Sequence, residues 1–256
     1  MQSRVQILAR SARDGENVNP AAMTSWLSVR LWLPAVLSTT AGAVDIIGFL
    51  VLGGLFTAHI TGNLAIVAAH YTTDGFSQVG PILAVPVFIA VLGVVVLVFG
   101  GVNGTGNSRR SLLILHAALL AGCLGLGLGL SPLRNADSPM AVLLGMLAVA
   151  AMATQNAMVK LALVKAPSTA AMTTNTTQLV IDLATLACGR EDPNDLAEIR
   201  RRARVTLLCI VGFITGCVAG AILEVRFGIG ALALPVILAV LAVALGEEKG
   251  RTDEQF

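Results

Sequence analysis

The sequence predicts an all-α, polytopic membrane protein, and three observations carry that expectation. Hydrophobic residues make up 55% of the 256 positions while charged residues make up only 12%, against about 25% charged in an average soluble domain. Mean hydropathy is +0.82, and whole stretches of roughly twenty residues, about the length that spans a bilayer as a helix, contain no charge at all. A water-facing surface cannot be assembled from such stretches, so lipid is the solvent this chain is built for.

Windows of about twenty residues place strong apolar segments at 32–52, 80–102, 111–130, 139–160, 203–223 and 227–245. Each is long enough to cross as a helix. Two further stretches, 54–71 and 167–188, are apolar but interrupted by Thr, Asn, His, Gln and Asp, and each follows a break, at Gly53-Gly54 and at Pro167. Residues 1–31, with four arginines around the polar run Asp14 to Asn19, read as a disordered cytoplasmic tail rather than a cleaved signal, and 246–256 as a second cytoplasmic tail.

Loop charge bears on the two interrupted stretches. If all eight segments cross and the N-terminus is inside, Arg109, Arg110, Lys160, Lys165 and Arg226 lie outside. If the two polar stretches enter and return on one face, only Arg134 and Arg226 lie outside and fifteen of seventeen basic residues face the cytoplasm of a bacterial plasma membrane. The expected architecture is therefore six spans plus two re-entrant or broken helices, with eight spans as the alternative. The halves 32–130 and 139–245 then have opposite orientation, an inverted pair of pseudo-symmetric repeats.

Internal similarity points the same way. Ala41 to Asp45 is followed by His59-Ile60-Thr61-Gly62-Asn63, and Ala153 to Asn156 by Ala171-Met172-Thr173-Thr174-Asn175. The spacing from Asp45 to Thr61 is within one residue of that from Asn156 to Thr173. Each half pairs a deep polar position with a Thr-x-Asn element after a break.

The candidate site follows from cost. A carboxylate near mid-membrane, as at Asp45, costs on the order of 3 kcal/mol. Ser38, Gly42, Asp45 and Phe49 share one helical face, so the acid can look into a bundle. Its functional reading is a proton or cation site; the bland one is a neutral structural carboxyl bonded to neighbouring helices. Thr61, Gly62, Asn63, Thr173 and Asn175, with His59, Gln155, Asn156 and Gln178, bring hydroxyls, amides and free backbone groups to membrane depth, where they line a pathway or merely bond helices together. His70 and Asp182 share faces with the two asparagines, and solvation near an interface accounts for each.

Other patterns carry no chemistry. Gly212, Gly216 and Gly220 make a close-packing stripe, and Gly125, Gly127 and Gly129 sit in a membrane segment with no strand before them. Cys123, Cys188, Cys209 and Cys217 show no disulfide or zinc spacing. The run Arg190 to Arg204 reads as a short amphipathic helix joining two spans at anionic headgroups. Neither a catalytic constellation nor a cofactor motif is present, so no enzyme, no cofactor and no nucleic-acid partner is expected.

The stretch Ala41 to Phe49, followed by Gly53-Gly54-Leu55-Phe56 and His59 to Asn63, resembles the signature of the YoaK family of bacterial integral membrane proteins of unknown function. Gln155-Asn156 followed by Met172-Thr173 and Asn175 resembles its second element. One departure is Thr174, where that pattern more often has Gly. The resemblance implies an inner-membrane protein with a transport role. The function expected is a transporter or channel for a small solute, proton- or cation-coupled, working in the bilayer; a homo-oligomer is compatible with the sequence. The alternative is a non-transporting scaffold or sensor subunit.

Overall fold

The computed structural model describes residues 20–73, 79–100, 106–131, 135–163, 166–189 and 192–253. Among them the chain is helical with no strand, in the order α1 (Pro20–Val51), α2 (Ile60–Thr73), α3 (Val79–Phe99), α4 (Gly106–Gly129), α5 (Pro139–Ala162), α6 (Met172–Cys188), α7 (Pro193–Phe227) and α8 (Ala233–Asp253), with a 3-10 turn over Gly228–Leu232 between the last two.

Five apolar stretches have the length and composition to cross a bilayer: Trp32–Val51, Val79–Phe99, Ser108–Gly129, Pro139–Ala162 and Pro193–Gly246. The last holds 54 residues, about 80 Å of helix if straight and far beyond a hydrocarbon core of about 30 Å. The 3-10 turn divides it, beginning at Gly228, whose φ of 55° is left-handed and ends α7. By contrast α2 has 14 residues, about 21 Å of rise, which is too short to cross.

Two apolar clusters mark the ends of the bundle. One joins the C-terminal part of α1 (Val44, Ile47) to the N-terminal part of α3 (Ala84), the C-terminal part of α4 (Cys123) and the N-terminal part of α5 (Leu144). The other joins Leu33 and Leu37 of α1 to Val95 of α3, Leu112 of α4 and Met158 of α5, with Ala242 of α8. Hence α1 and α4 run one way, α3, α5 and α8 the other. Because α3 is antiparallel to α1, the α2 segment between them returns to the end it entered from. The same holds for α6, since α5 and α7 are antiparallel. Six crossings with two re-entrant segments satisfy these directions and eight do not.

The orientation of α7 is fixed by glycine. A Cβ on Gly212, Gly216 or Gly220 would lie 2.8, 2.1 and 3.1 Å from the carbonyl oxygens of Ala35, Thr39 and Ala43 respectively. The numbers rise together, so α1 and α7 are parallel and touch backbone to backbone, an approach only glycine on one side and small residues on the other permit.

Neighbours are exchanged between halves. Helix α1 packs on α7 and α8, and α5 packs on α3 and α4. Likewise α2 lies on α3 as α6 lies on α7, while α4 meets α8 and α1 meets α5.

Three expectations change. Of the tail 1–31, residues 1–19 lie outside the described residues, and from Pro20 the chain is already helix. At the other end α8 runs on to Asp253, and 254–256 lie outside the described residues. The basic run is no separate connector, because α7 begins at Pro193 and continues unbroken through Arg204 into the span. Proline at the first helical position starts it, and no Gly or Pro interrupts it before Gly212.

Candidate functional site

Each re-entrant segment is an extended stretch followed by a half-helix. After Val51 the chain turns through Gly53 and Gly54, with φ of 65° and 82°, and doubles back along α1. That reversal delivers Thr57, Ala58 and His59 to the level of Asp45. Asp45 Oδ1 accepts from the Thr57 amide (2.7 Å), the Thr57 hydroxyl (2.9 Å) and the Ala58 amide (2.7 Å). Its Oδ2 bonds His59 Nδ1. The carboxylate, 2% exposed, thus supplies the acceptors that this irregular backbone needs at a depth where water cannot. Charge-assisted bonds to backbone N–H groups are among the stronger kinds, which offsets the cost of burial.

Asn63 locks the same loop from the other side. Its Oδ1 accepts from the Phe56 amide at 2.9 Å and its Nδ2 donates to the Phe56 carbonyl at 2.7 Å, a closed pair of bonds. The Phe56 ring stacks near Phe49 (5.0 Å between centroids) and lies over Gly62, where a Cβ would come within 2.9 Å of it. His59 rests edge-on to Phe213 of α7 at 5.5 Å, with 34% of its side chain exposed.

The second loop repeats the first with different chemistry. Gln155 Nε2 donates to the Thr169 hydroxyl (2.9 Å) and to the Leu37 carbonyl of α1 (3.0 Å). Asn175 Nδ2 donates to the Ser168 carbonyl at 2.6 Å, seven residues back as Asn63 is from Phe56. In place of Phe56 stands Ser168, and in place of Gly62 stands Thr174; with no ring to clear, the threonine fits and α6 begins just as α2 does. Gln155 is neutral where Asp45 is an acid, and Ala171 takes the place of His59. Gln155 Oε1 is buried without a hydrogen-bond partner among the described residues.

The expected site residues divide accordingly. The structure joins Asp45, His59 and Asn63 in one cluster and Gln155 with Asn175 around the other loop. Asn156, paired in sequence with Asp45, instead turns back to the Met152 carbonyl of its own helix at 2.9 Å; one residue of helical rotation, about 100°, separates it from Gln155, which is the true counterpart. Thr61 and Thr173 lie exposed on the first turns of α2 and α6, and neither is among the groups bonded to Asp45 or Gln155. Gly62 seats the Phe56 ring.

Gln178 is drawn off toward Asp182, to which its Nε2 donates at 2.8 Å. Asp182 is not solvated but fully buried, gripped by Arg202 through Nε (2.9 Å) and Nη2 (2.6 Å). The guanidinium holds this carboxyl below its ordinary range. The His70 side chain lies outside the described residues.

Sequence reasoning missed Thr57 and Thr169, the hydroxyls that do meet the deep polar groups. The signal was present: Thr57-Ala58 and Thr169-Ala170 stand at one spacing before Thr61 and Thr173.

The model of one protein family, described as a protein of unknown function (DUF1275), matches residues 33–245. The chain belongs to the DUF1275 family. The match runs from the first buried residues of α1 through most of α8, so both loops belong to the DUF1275 unit, in agreement with the YoaK resemblance. No curated protein and no solved structure matches this DUF1275 chain. It is a multi-pass helical membrane protein by its apolar spans.

Proposed function

We propose that this DUF1275 protein is a transporter or channel for a small solute, built as an inverted repeat in a bacterial inner membrane with both termini cytoplasmic. The observation that carries the reading is the pair of broken segments entering from opposite ends of the bundle, each bringing a threonine hydroxyl and a half-helix N-terminus to a buried polar side chain of the span before it, Asp45 in one case and Gln155 in the other. Irregular backbone at that depth is tolerated only where protein buries it or water reaches it, and carriers place binding sites at such breaks.

The pathway residues of this reading are Asp45, His59, Thr61, Asn63, Gln155, Thr173 and Asn175, whereas Asn156 and Gln178 bond elsewhere and Gly62 seats the Phe56 ring. Within them the roles differ. Asp45 is saturated by its loop, so the proton-exchanging member of the first cluster is the Asp45–His59 pair, with the partly exposed imidazole as the group that meets solute or water. Gln155 is the neutral partner on the opposite side. The saturation of Asp45 also favours a second reading, in which the loops are static locks of a non-transporting scaffold or sensor subunit.

The test begins with a thermal-shift screen of solutes in detergent, since a bound ligand raises apparent stability by mass action. Uptake of the solute so found into proteoliposomes is then driven by a proton gradient. Asp45→Asn keeps an oxygen acceptor for Thr57 and Ala58 yet removes the charge facing His59, so it folds and loses the pH-driven component. Undiminished gradient-driven uptake by this variant rejects the coupling role.

A further inference from the structure

Two buried atoms on one turn of α5 are left with lone pairs to offer. Gln155 commits both amide hydrogens, one to the Leu37 carbonyl and one to the Thr169 hydroxyl. A carbonyl oxygen only accepts, so the amide nitrogen must face Leu37 and the amide oxygen cannot take its place. Gln155 Oε1 is then a fixed acceptor, and no donor reaches it among the described residues. His116 of α4 repeats the pattern. Its Nδ1 lies 3.0 Å from the Ala151 carbonyl and therefore carries the hydrogen, which leaves Nε2 of the neutral ring as an acceptor that also has no partner among the described residues.

The two acceptors share a location. In a helix the carbonyl of residue 151 receives the amide N–H of residue 155, and the Cα–Cβ bond of residue 155 tilts back toward that carbonyl. His116 thus meets α5 at the turn from which the Gln155 side chain leaves, midway along Pro139–Ala162. Both residues are 0% exposed. The Gln155 amide also touches the second loop at Thr169, shortly before α6 begins at Met172, so the positive end of that half-helix is close by.

These groups select by charge. An anion would meet two lone pairs and be repelled. A cation would meet the positive end of α6 with no counter-charge to hold it, because the buried carboxylates among the described residues, Asp45 and Asp182, are committed to the first loop and to Arg202. A buried acceptor left unpaired is costly, and an uncharged N–H or O–H donor relieves it. We propose that Gln155 Oε1 and His116 Nε2 together receive a small uncharged solute with paired N–H hydrogens, of the urea or amide class. The assignment rests on the transport reading and names its solute class. Full burial of both side chains makes this conformation the closed one.

Proteoliposomes of the full chain, challenged with urea, choline chloride or sodium methanesulfonate in a stopped-flow re-swelling assay, test it. Urea is expected to enter faster than into protein-free liposomes, and the choline cation and the methanesulfonate anion no faster. In His116→Asn the side-chain amide N–H reaches the Ala151 carbonyl as Nδ1 does, while nothing replaces Nε2. This variant should keep the melting temperature and slow urea entry at least about fivefold, the factor that one hydrogen bond is worth. Independently, in protein with isotope-labelled histidine, the nitrogen NMR resonance of His116 Nε2, assigned by its loss in His116→Asn, should move as urea is added. Urea entry unaffected by folded His116→Asn, or a resonance that stays in place, overturns the site. Entry of choline or methanesulfonate in place of urea keeps transport and overturns the solute class, whereas folded protein that admits none of the probes removes the transport reading and this assignment with it.

Discussion

Thr57 presents both its amide and its hydroxyl to one oxygen of Asp45, at 2.7 and 2.9 Å. A residue thirteen positions into an apolar segment thereby holds down a loop that starts after that segment ends. The acid exists at this depth because backbone comes to meet it, and the backbone can be irregular there because the acid is present.

Removing the acceptor should therefore cost more than removing the charge. Asp45→Ala strands two amides and a hydroxyl, each costing about 1–3 kcal/mol when buried and unpaired, and is expected to unfold the loop or the protein. Asp45→Asn should lose less than half as much. Thermal unfolding in detergent measures both, and equal losses would contradict the loop-capping role.

The two asparagines make an asymmetric pair. Asn63 closes both backbone groups of Phe56, while Asn175 bonds only the Ser168 carbonyl and approaches the Met172 sulfur at 3.9 Å. Asn63→Ala is expected to lower the melting temperature clearly more than Asn175→Ala, by about one further hydrogen bond, or about 1 kcal/mol. A larger effect at Asn175 would refute this ordering.

Glycine on α7 offers a sharper contrast. Gly216→Leu must push α1 and α7 apart, since even a Cβ there would meet the Thr39 carbonyl oxygen at 2.1 Å, and folded yield should collapse. Gly125→Ala and Gly93→Ala, where a Cβ meets nothing within 4 Å, should be neutral or stabilising by up to about 1 kcal/mol through helix propensity. Size-exclusion profiles and melting curves separate the cases.

The Asp182–Arg202 pair has a pH signature. The Asp182 carboxyl is held below its ordinary range chiefly by hydrogen bonding to Arg202. Its stabilising contribution is thus fully present above the unfolded carboxylate value of about 3.9 and is lost as pH falls through the lower folded value. Arg202→Met should destabilise by about 1–2 kcal/mol at neutral pH, a modest figure because about half of the arginine side chain is solvent-exposed. The gap between wild type and variant should close in acid; a gap that widens in acid would contradict the assignment.

Much of this was legible in the sequence because membrane helices announce themselves by uncharged length, and because Gly53-Gly54 and Pro167 punctuate the chain where it re-enters. The depth of Asp45 and the Thr-x-Asn pair were equally plain. What escaped was rotational and tertiary. Nothing local tells Gln155 from Asn156 until the loop shows which side it returns on. Thr57 and Thr169 do not stand out among the threonines that interrupt 54–71 and 167–188, since their role arises only when an extended segment folds back on its own helix. Arg202 looked like headgroup anchoring because its partner lies twenty residues earlier on another helix. The packing stripe at Gly212 to Gly220 was visible, but its partner on α1 was not.

The claim that organises all of this is that both loops return to the end they enter from. Single cysteines at Thr72, Lys160 and Thr252, in sealed vesicles of defined orientation with a membrane-impermeant thiol reagent, test it directly. Thr72→Cys should label from the side opposite to Thr252→Cys, and Lys160→Cys from the same side as Thr252→Cys. Thr72→Cys on the side of Thr252→Cys, with Lys160→Cys opposite, would mean that both segments cross and that the opposed half-helices do not exist.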